Sequence, residues 1–383
     1  MKKWEGLDLS TIAAHGVRAP APEALPVGQR SVPATEPLYL NTVMEFDSLE
    51  GSLAPLAGEG GYVYARHGMP NGRSLELTLA ALEGGDDALA TSSGMAAIGC
   101  AILALAGNGD RVLLQRDAYG GTGALIATDF GRLGIRVDLV DAYDAGAVAR
   151  ALEAPAKLLL VESISNPLVR EVEVGALAAM CRARGVTLIV DATFATPVVT
   201  KPLAEGADVV MHSATKYLGG HHDLCAGILV GKADFIERAR GVARRFGSVV
   251  APMDAWLCSR GVKTLAVRME RAQESAGALA ARLRAHAKVT AVHYPGRGAL
   301  LSFVLADGGA ASRFVSAVQL VTLAPSLGGT TTSLSHSATS SHRSLSPEAR
   351  AAIGVGDGLL RVSLGLEAVG DLWKDFERGL AAV

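Results

Sequence analysis

The feature that most constrains the fold of this chain is a series of short apolar runs, each ending in small or polar residues and separated from the next by a helical stretch. These runs cover residues 88–91, 111–115, 157–162, 186–190 and 208–212, and residues 224–230 form a further run. Strands that alternate with helices are typical of a largely parallel sheet covered by helices on both faces. We therefore predict an α/β fold.

The regions before and after this series have different sequence patterns. Residues 1–60 are rich in proline and glycine, which predicts an extended arm. Leu75, Leu79 and Leu82 predict a short helix, and after Pro252 a charged helix over 263–286 precedes strands near 300–305 and 359–362 and a closing amphipathic helix. Residues 330–346 are interpreted as an ordered loop. We predict an arm (1–60), a large domain (61–251) and a smaller α+β domain (252–383).

Composition excludes several classes of function. The chain of 383 residues has 36 basic and 38 acidic residues, a net charge of -2 and no basic run, so we expect no nucleic-acid partner. It has no apolar stretch of about 20 residues, so we expect no membrane span. The two lysines at its start lack the apolar segment of a secretory signal, which favours a cytoplasmic location.

Nothing in the sequence indicates a metal. Cys100, Cys181, Cys225 and Cys258 never form a C-x-x-C pair, and we expect them to be small buried side chains in a reducing compartment. The adjacent histidines of residues 221–223 lie in a glycine turn and lack the spacing of a ligand set.

Polar residues follow four of the predicted strands. The strand 186–190 runs into Asp191, and the strand 157–162 ends at Glu162 and is followed by Asn166. The strand 208–212 is followed by residues 213–216, and the strand 88–91 by residues 92–95. Ligands of a doubly wound sheet bind at the carboxyl ends of its strands. We therefore expect these residues to form one pocket.

Gly94 and Met95 precede a predicted helix over 96–105. Their backbone N–H groups, with the positive end of the helix dipole behind them, would suit a phosphate. An ordinary serine cap is the simpler alternative for this segment.

Lys216 and Asp191 are the candidate reactive residues of this pocket. Lys216 follows a strand and lies close to the hydroxyls of Ser213 and Thr215, as a Schiff-base cofactor site requires, although a solvated surface lysine is also compatible with this position. Asp191 ends the apolar run LIVD, where a carboxylate needs a cationic partner such as a protonated pyridine nitrogen. A helix cap is the alternative role for Asp191.

Four strings carry a family resemblance: SSGMAAI at 92–98, ESISNP at 162–167, VDATFATP at 190–197 and SATKYLGGH at 213–221. Together they resemble the Cys/Met metabolism family of pyridoxal-phosphate (PLP) enzymes, which includes cystathionine γ-lyase and γ-synthase, cystathionine β-lyase, methionine γ-lyase and the homoserine-ester sulfhydrylases. The resemblance runs from about residue 62 to the C-terminus. It implies a fold-type-I PLP-dependent transferase fold, with a mostly parallel sheet of the seven-stranded type and a smaller α+β C-terminal domain.

The resemblance also implies the cofactor contacts. Lys216 would hold PLP as a Schiff base, Asp191 would pair with the pyridine nitrogen, and Asn166 would bond to the ring hydroxyl. Tyr119, in AYGGT, would stack on the ring and transfer protons. The phosphate would be bound by Gly94, Met95, Ser213 and Thr215.

Other matching positions imply a substrate clamp and an oligomer. Arg361, in LLRVSLG, and Ser326, in SLGG, would bind the carboxylate of a sulfur amino acid. Tyr64 and Arg66, in YVYAR, would reach the phosphate bound to a neighbouring subunit. The resemblance therefore implies at least a homodimer, and a homotetramer because members of the family usually form tetramers.

Three positions depart from the family pattern. Pro325 stands where cystathionine γ-lyases and γ-synthases carry glutamate, Gly121 where bacterial methionine γ-lyases carry cysteine, and Ala192 where relatives commonly carry asparagine. The chain is also shorter than its relatives between residues 295 and 301. These departures leave the substrate open and preserve the reaction class.

We predict a cystathionine γ-lyase-like enzyme that releases a thiol by γ-elimination. Methionine γ-lyase, γ-replacement as in cystathionine γ-synthase or an O-acylhomoserine sulfhydrylase, and a non-catalytic PLP-binding module are the alternatives. The S-x-x-K pattern of Ser213 and Lys216 also occurs in penicillin-binding proteins, but the S-D-N and K-T-G motifs of that class are absent from the sequence.

Overall fold

The computed structural model describes residues 7–16, 33–58, 60–343 and 346–383. Two sheets organise these residues. The strands of the first sheet are β1 (Asp87–Thr91), β2 (Arg111–Gln115), β3 (Arg136–Val140), β4 (Leu158–Glu162), β5 (Thr187–Asp191), β6 (Val209–Ser213) and β7 (Gly227–Gly231). Those of the second are β8 (Ala291–His293), β9 (Leu300–Val304), β10 (Thr322–Leu323), β11 (Ser333–His336) and β12 (Leu359–Ser363).

Helices cover and connect the sheets. In the first half of the chain they are α1 (Leu9–His15), α2 (Leu49–Ala57), α3 (Pro70–Glu83), α4 (Gly94–Leu105), α5 (Gly120–Ala124), α6 (Ala145–Ala151), α7 (Val174–Ala183) and α8 (Thr196–Val199). The later ones are α9 (Ala233–Phe246), α10 (Pro252–Val262), α11 (Leu265–Arg284), α12 (Gly308–Ala317), α13 (Pro347–Ala352) and α14 (Val369–Ala381). A π-helix at Leu125–Phe130 and 3-10 turns at Ala65–His67 and Gly131–Leu133 complete the set.

The first sheet has the strand order β1-β7-β6-β5-β4-β2-β3 and is mostly parallel. Only β7 runs against its neighbours β1 and β6, so the carboxyl ends of the other six strands share one edge. Alternate residues of a strand point to opposite faces. Leu158 and Leu160 accordingly pack in the cluster that contains α4 and α9, while Leu159 and Val161 pack in the cluster that contains α6 and α7.

The predicted α/β class and the mostly parallel seven-stranded sheet are confirmed. The second sheet, in the order β10-β11-β12-β9-β8, lies in the part of the chain predicted to be a smaller α+β domain. The boundaries at residues 60 and 251 stay predictions.

Two sequence-based expectations need correction. The segment predicted as an extended arm contains α1 and α2, each begun by a capping side chain: Asp8 accepts from the backbone of Ser10, and Ser48 accepts from that of Gly51. Part of that segment, residues 1–6, 17–32 and 59, lies outside the described residues. The predicted loop at 330–346 contains β11.

Candidate active site

The shared carboxyl-terminal edge of the first sheet opens into a cavity of about 220 Å³. Nine of the residues predicted to bind cofactor or substrate line it: Gly94, Met95, Tyr119, Asn166, Asp191, Ser213, Thr215, Lys216 and Arg361. Ser326 lies beside the cavity, since the Lys216 ammonium donates a hydrogen bond of 3.1 Å to its hydroxyl. The strand-end rule predicted this meeting point for the residues that follow strands of the first sheet, whereas Tyr119, Arg361 and Ser326 were expected only from the family resemblance.

Lys216 lies in the turn that follows β6 and is half-buried. Burial is the main cause that lowers the pKa of its ammonium, and the nearby positive charge of Arg361 lowers it further. A lysine with a lowered pKa is more often neutral and can attack a carbonyl carbon or accept a proton.

The loop that carries Ser326 reaches Lys216 because Gly328 permits a very close approach. Gly328 has a φ of +82°, and a Cβ there would lie 2.6 Å from the backbone nitrogen of Tyr217. Its own N–H donates to the hydroxyl of Ser363 on β12. The second sheet thus fixes this loop against the turn of Lys216.

The start of α4 also lines the cavity. Ser93 caps the helix by accepting from the backbone of Ala96, so Gly94 and Met95 stand in the first turn, where a helix has no carbonyl of its own for their N–H groups. A Cβ at Gly94 would lie 2.8 Å from the Cβ of Ser213. Glycine thus brings this backbone close to the Ser213 side chain, as a phosphate cradle requires.

Asp191 ends β5 and is held by one neighbour. Its carboxylate accepts from the backbone N–H of Thr193 (2.9 Å), and the hydroxyl of Thr193 in turn accepts from the backbone N–H of Ser213 (2.8 Å). Burial raises the pKa of the Asp191 carboxyl, and the Thr193 contacts and the nearby His212 oppose that rise. A cationic ring nitrogen is the kind of partner that would satisfy this carboxylate.

Arg361, on β12, is 5% exposed, and only some of its N–H groups have a hydrogen-bond partner among the described residues. Its Nη1 donates to Oδ1 of Asn166 (2.8 Å) and its Nη2 to the carbonyl of Ser326 (3.1 Å), while its Nε has no partner among the described residues. Burial lowers the pKa of the guanidinium to about 10. A buried guanidinium that lines a cavity and has an N–H group without a protein partner is suited to a carboxylate ligand.

Asn166 therefore uses its side-chain oxygen on Arg361, which leaves its amide N–H groups as donors. The ring hydroxyl contact predicted for Asn166 is compatible with this arrangement. Tyr119, which follows β2, is 46% exposed at the mouth of the cavity, and its ring is accessible for stacking.

Tyr64 and Arg66 are not brought to the cavity. Arg66 donates to the backbone carbonyl of Arg244 (3.1 Å), and its guanidinium lies 5.7 Å from the ring centre of Tyr64, which is 40% exposed. Their predicted role at the phosphate of a neighbouring subunit stays a prediction.

Sequence reasoning placed Glu162 at a strand end in the pocket without assigning it a role, and it missed several other lining residues. Thr193 contributes a hydrogen bond that depends on which strands are neighbours, and Ser335 and Ser341 come from the second sheet and the loop after it. The one available signal was the position of Thr193 within the string VDATFATP.

The cysteine expectation is wrong at one position. Cys100, Cys181 and Cys258 are buried, but Cys225 is exposed and lines the cavity. The short strand β7 begins only at Gly227, so Cys225 belongs to the turn before it. All four cysteines are free.

No group of three or more His, Cys, Asp or Glu side chains that could hold a metal occurs in the described part of the chain. Within those residues, no helix is long and apolar enough to cross a membrane.

A mostly parallel sheet whose carboxyl edge gathers a lysine, a half-buried carboxylate and an anion-binding helix start defines an enzyme of the PLP class. The chain matches the model of the family described as Cys/Met metabolism PLP-dependent enzymes over residues 25–381, and it belongs to that family.

Named relatives give the range of activities. An O-succinylhomoserine sulfhydrylase of Pseudomonas aeruginosa is 40% identical over 94% of this chain and 94% of its own length. An L-methionine gamma-lyase of Pseudomonas putida is 38% identical over 90% of this chain and 92% of its own. The crystal structure of a cystathionine gamma-lyase from Micromonospora echinospora superposes with a TM-score of 0.90 at 35% identity, covering 99% of this chain and 100% of that one.

The protein is therefore a PLP-dependent trans-sulfuration enzyme, a carbon–sulfur lyase or a γ-replacement enzyme. The expected fold-type-I architecture and the expected cofactor are confirmed.

Proposed function

We propose that this enzyme cleaves a carbon–sulfur bond at the γ-carbon of an L-amino acid, in the manner of a cystathionine γ-lyase, and yields 2-oxobutanoate, ammonia and a thiol. The observation that carries the proposal is the link between Lys216 and Arg361 through a single residue. The Lys216 ammonium donates to the hydroxyl of Ser326, whose carbonyl accepts from Arg361. A carboxylate bound by Arg361 would thus place its α-carbon near the lysine amine.

Each residue then has a defined task. PLP, when bound, supplies an electron sink for the electrons released at the α-carbon. Lys216 would anchor it and would take the α-proton with an amine whose pKa is lowered by burial. Asp191 would keep the ring nitrogen protonated, and Tyr119 would move a proton at the departing thiol.

The phosphate would rest on the N–H groups of Gly94 and Met95 and on the hydroxyls of Ser213 and Thr215. The hydroxyl of Thr215 accepts from the backbone N–H of Ala226 (3.1 Å) and donates a longer bond of 3.3 Å to the carbonyl of the same residue, which its proton could exchange for a bond to an anion. We further infer that Tyr64 and Arg66 reach this phosphate from a second subunit, so that the working enzyme is at least a dimer.

γ-Replacement is a second candidate, and the relative that favours it is the O-succinylhomoserine sulfhydrylase. Methionine γ-lyase is a third, since Pro325 lines the cavity and brings no carboxylate to bind a distal ammonium group. A non-catalytic PLP module would not require Lys216, Tyr119 and Arg361 to face one cavity. The four free cysteines support a reducing compartment, and we infer a cytoplasmic location.

The test is a substrate panel with purified enzyme. Cystathionine, methionine, homocysteine and cysteine are incubated singly, and an O-acylhomoserine is incubated with sulfide or cysteine; 2-oxobutanoate, pyruvate and thiol are then measured. We expect 2-oxobutanoate and cysteine from cystathionine. Pyruvate as the sole keto acid would refute γ-elimination. Formation of homocysteine from sulfide, or of cystathionine from cysteine, without a keto acid would identify γ-replacement.

Lys216→Ala tests the anchor. We expect loss of the Schiff-base absorbance near about 420 nm and of all turnover. The matched control is Lys232→Ala, at an exposed lysine outside the cavity, which should keep both. Wild-type protein without this absorbance after PLP addition would contradict the proposal.

A further inference from the structure

Glu162 is a buried carboxylic acid at the edge of the cofactor cavity, and the roles described above leave it unused. It is the last residue of β4 and pairs in register with Asp191, the last residue of β5. Paired residues of parallel strands point to the same face. Two carboxyl groups therefore share one sheet edge, and Glu162 is only 6% exposed.

The contacts of Glu162 connect it to the cofactor residues. Its Oε1 accepts the backbone N–H of Tyr119 at 2.6 Å, and the backbone N–H of Asn166 also lies beside the carboxyl. Its own backbone N–H donates to the side chain of Gln115 (2.8 Å), which fixes the end of the strand. Its Oε2 is buried and has no partner among the described residues.

The electrostatic surroundings of Glu162 and Asp191 differ. Burial raises the pKa of Glu162 well above its ordinary value, and the negative charges of Asp191 and Asp117 raise it further. Asp191 has stabilising contacts of its own, because the hydrogen bonds from Thr193 and the nearby His212 oppose the rise of its pKa. Two neighbouring carboxylates cannot both remain ionised at low cost, and the better solvated one keeps the charge.

We propose that Glu162 is a positioning residue which, as a neutral acid, holds the backbone of Tyr119 at the cofactor and leaves Asp191 as the charged carboxylate of the pair. The proton lies on Oε2, the oxygen that has no protein partner, and Oε1 stays free to accept from Tyr119. This role does not depend on which sulfur compound is cleaved.

Two substitutions distinguish the role of Glu162 as a hydrogen-bond acceptor from the effect of its charge. Glu162→Gln keeps an oxygen for the Tyr119 N–H and cannot ionise, whereas Glu162→Ala removes the acceptor. We expect the apoenzyme of Glu162→Gln to bind PLP within about threefold of wild type, and that of Glu162→Ala to bind it roughly 10- to 100-fold more weakly. PLP affinity is measured by fluorescence titration, without any sulfur substrate.

The protonation state is read directly on the apoenzyme by infrared difference spectroscopy near neutral pH. Subtracting Glu162→Gln from wild type should reveal the carbonyl stretch of a protonated carboxyl. The matched control is Glu76→Gln, because Glu76 is equally buried but both of its oxygens accept from Arg240. That difference spectrum should show only the bands of an ionised carboxylate.

A missing protonated-carboxyl band would overturn the proposal, and so would a Glu162→Gln apoenzyme that binds PLP as weakly as Glu162→Ala. If Glu162→Ala fails to fold, the Glu162→Gln affinity and the infrared spectrum still decide. Because neither measurement uses a substrate, their outcome is independent of the γ-elimination test.

Discussion

At the scale of single residues, the cavity works through paired electrostatic effects. Lys216 and Arg361 are both cationic, and each lies where burial disfavours its charge. Arg361 has fixed oxygen partners in Asn166 and Ser326 and remains a cation, whereas Lys216 has one hydroxyl partner. Because the lysine has the weaker stabilisation, it is the group that becomes neutral.

This relation predicts a pH effect. Since the charge of Arg361 lowers the pKa of Lys216, Arg361→Gln should raise it, although burial, the larger cause, still keeps it below the ordinary value. The neutral amine forms the Schiff base, so the pH at which the apoenzyme captures PLP at half its maximal rate should move upward. Stopped-flow absorbance across a pH series measures this, and a downward or absent shift would contradict the prediction.

Gly121 determines where the ring of Tyr119 can lie. A Cβ at position 121 would approach the Cε1 of Tyr119 to 2.4 Å, so Gly121→Ala must displace the ring. Because a misplacement of about 1 Å at a catalytic group can cost up to about 10²-fold, we expect kcat/KM to fall by one to two orders of magnitude. Steady-state kinetics on the accepted substrate measure the effect.

The control is Gly123→Ala, in the same helix α5, where a new Cβ would meet only Leu114 at an ordinary 3.9 Å. It should leave kcat/KM within about twofold. Equal losses in both variants would assign the effect to the helix and not to the tyrosine ring.

The residues that could be predicted from the sequence are those whose chemistry is set by their position along the chain. Lys216, Asp191 and the Gly94 segment each follow a strand, and the strand ends meet at one edge. Glu162 also ends a strand, but its hydrogen bond to Tyr119 depends on which strands are neighbours, and Cys225 lines the cavity because of a turn. Strand order and turn geometry cannot be predicted from the local periodicity of the sequence.

At the scale of elements, continuous apolar runs were a reliable signal for buried strands. Strand β2 matches its predicted bounds, and the other predicted strands of the first sheet match at one end or within a few residues. Strand β3 was missed, because it is an edge strand in which Arg136 and Asp138 alternate with apolar residues. The charged helix predicted over 263–286 is α11, and α10 before it begins at a proline that the first turn of a helix tolerates.

The second sheet is stabilised by three phenylalanines. Phe303 of β9, Phe314 of α12 and Phe376 of α14 are fully buried, with ring centres 5.2 to 5.9 Å apart. Phe314→Ala should leave a cavity and lower the free energy of unfolding by about 3–5 kcal/mol. Denaturant titration followed by circular dichroism measures the change.

The control variant is Phe246→Ala. Phe246 is the last residue of α9 and is 70% exposed. Its effect should stay within about 0.5 kcal/mol. A similar loss in both variants would show that the aromatic cluster is not a special source of stability.

At the scale of the whole molecule, one chain supplies nearly all of the site from two sheets. The first sheet brings the lysine and the carboxylates, and the second brings Arg361 and the loop of Ser326. Tyr64 and Arg66 stay outside, near a segment where Leu40, Val43 and Phe46 expose apolar side chains. Exposed apolar side chains in such a segment favour contact with another subunit.

Subunit complementation tests whether Arg66 acts across an interface. Lys216→Ala and Arg66→Ala should each be nearly inactive alone, because one lacks the anchor and the other lacks a phosphate ligand. When the two are mixed by denaturation and refolding, half of the dimers contain one chain of each kind. In such a dimer one site receives both substitutions and the other receives neither, so about one quarter of the wild-type activity should return.

The control mixture is Lys216→Ala with Asp191→Ala, both of which belong to the site of one chain. Every site in a mixed dimer of these variants carries a defect, so no activity should return. Recovery in the first mixture but not in the second would locate Arg66 in the partner's site. No recovery in the first mixture, under conditions where refolded wild type regains activity, would mean that Arg66 serves its own chain, and the dimer would then not be required to complete the phosphate site.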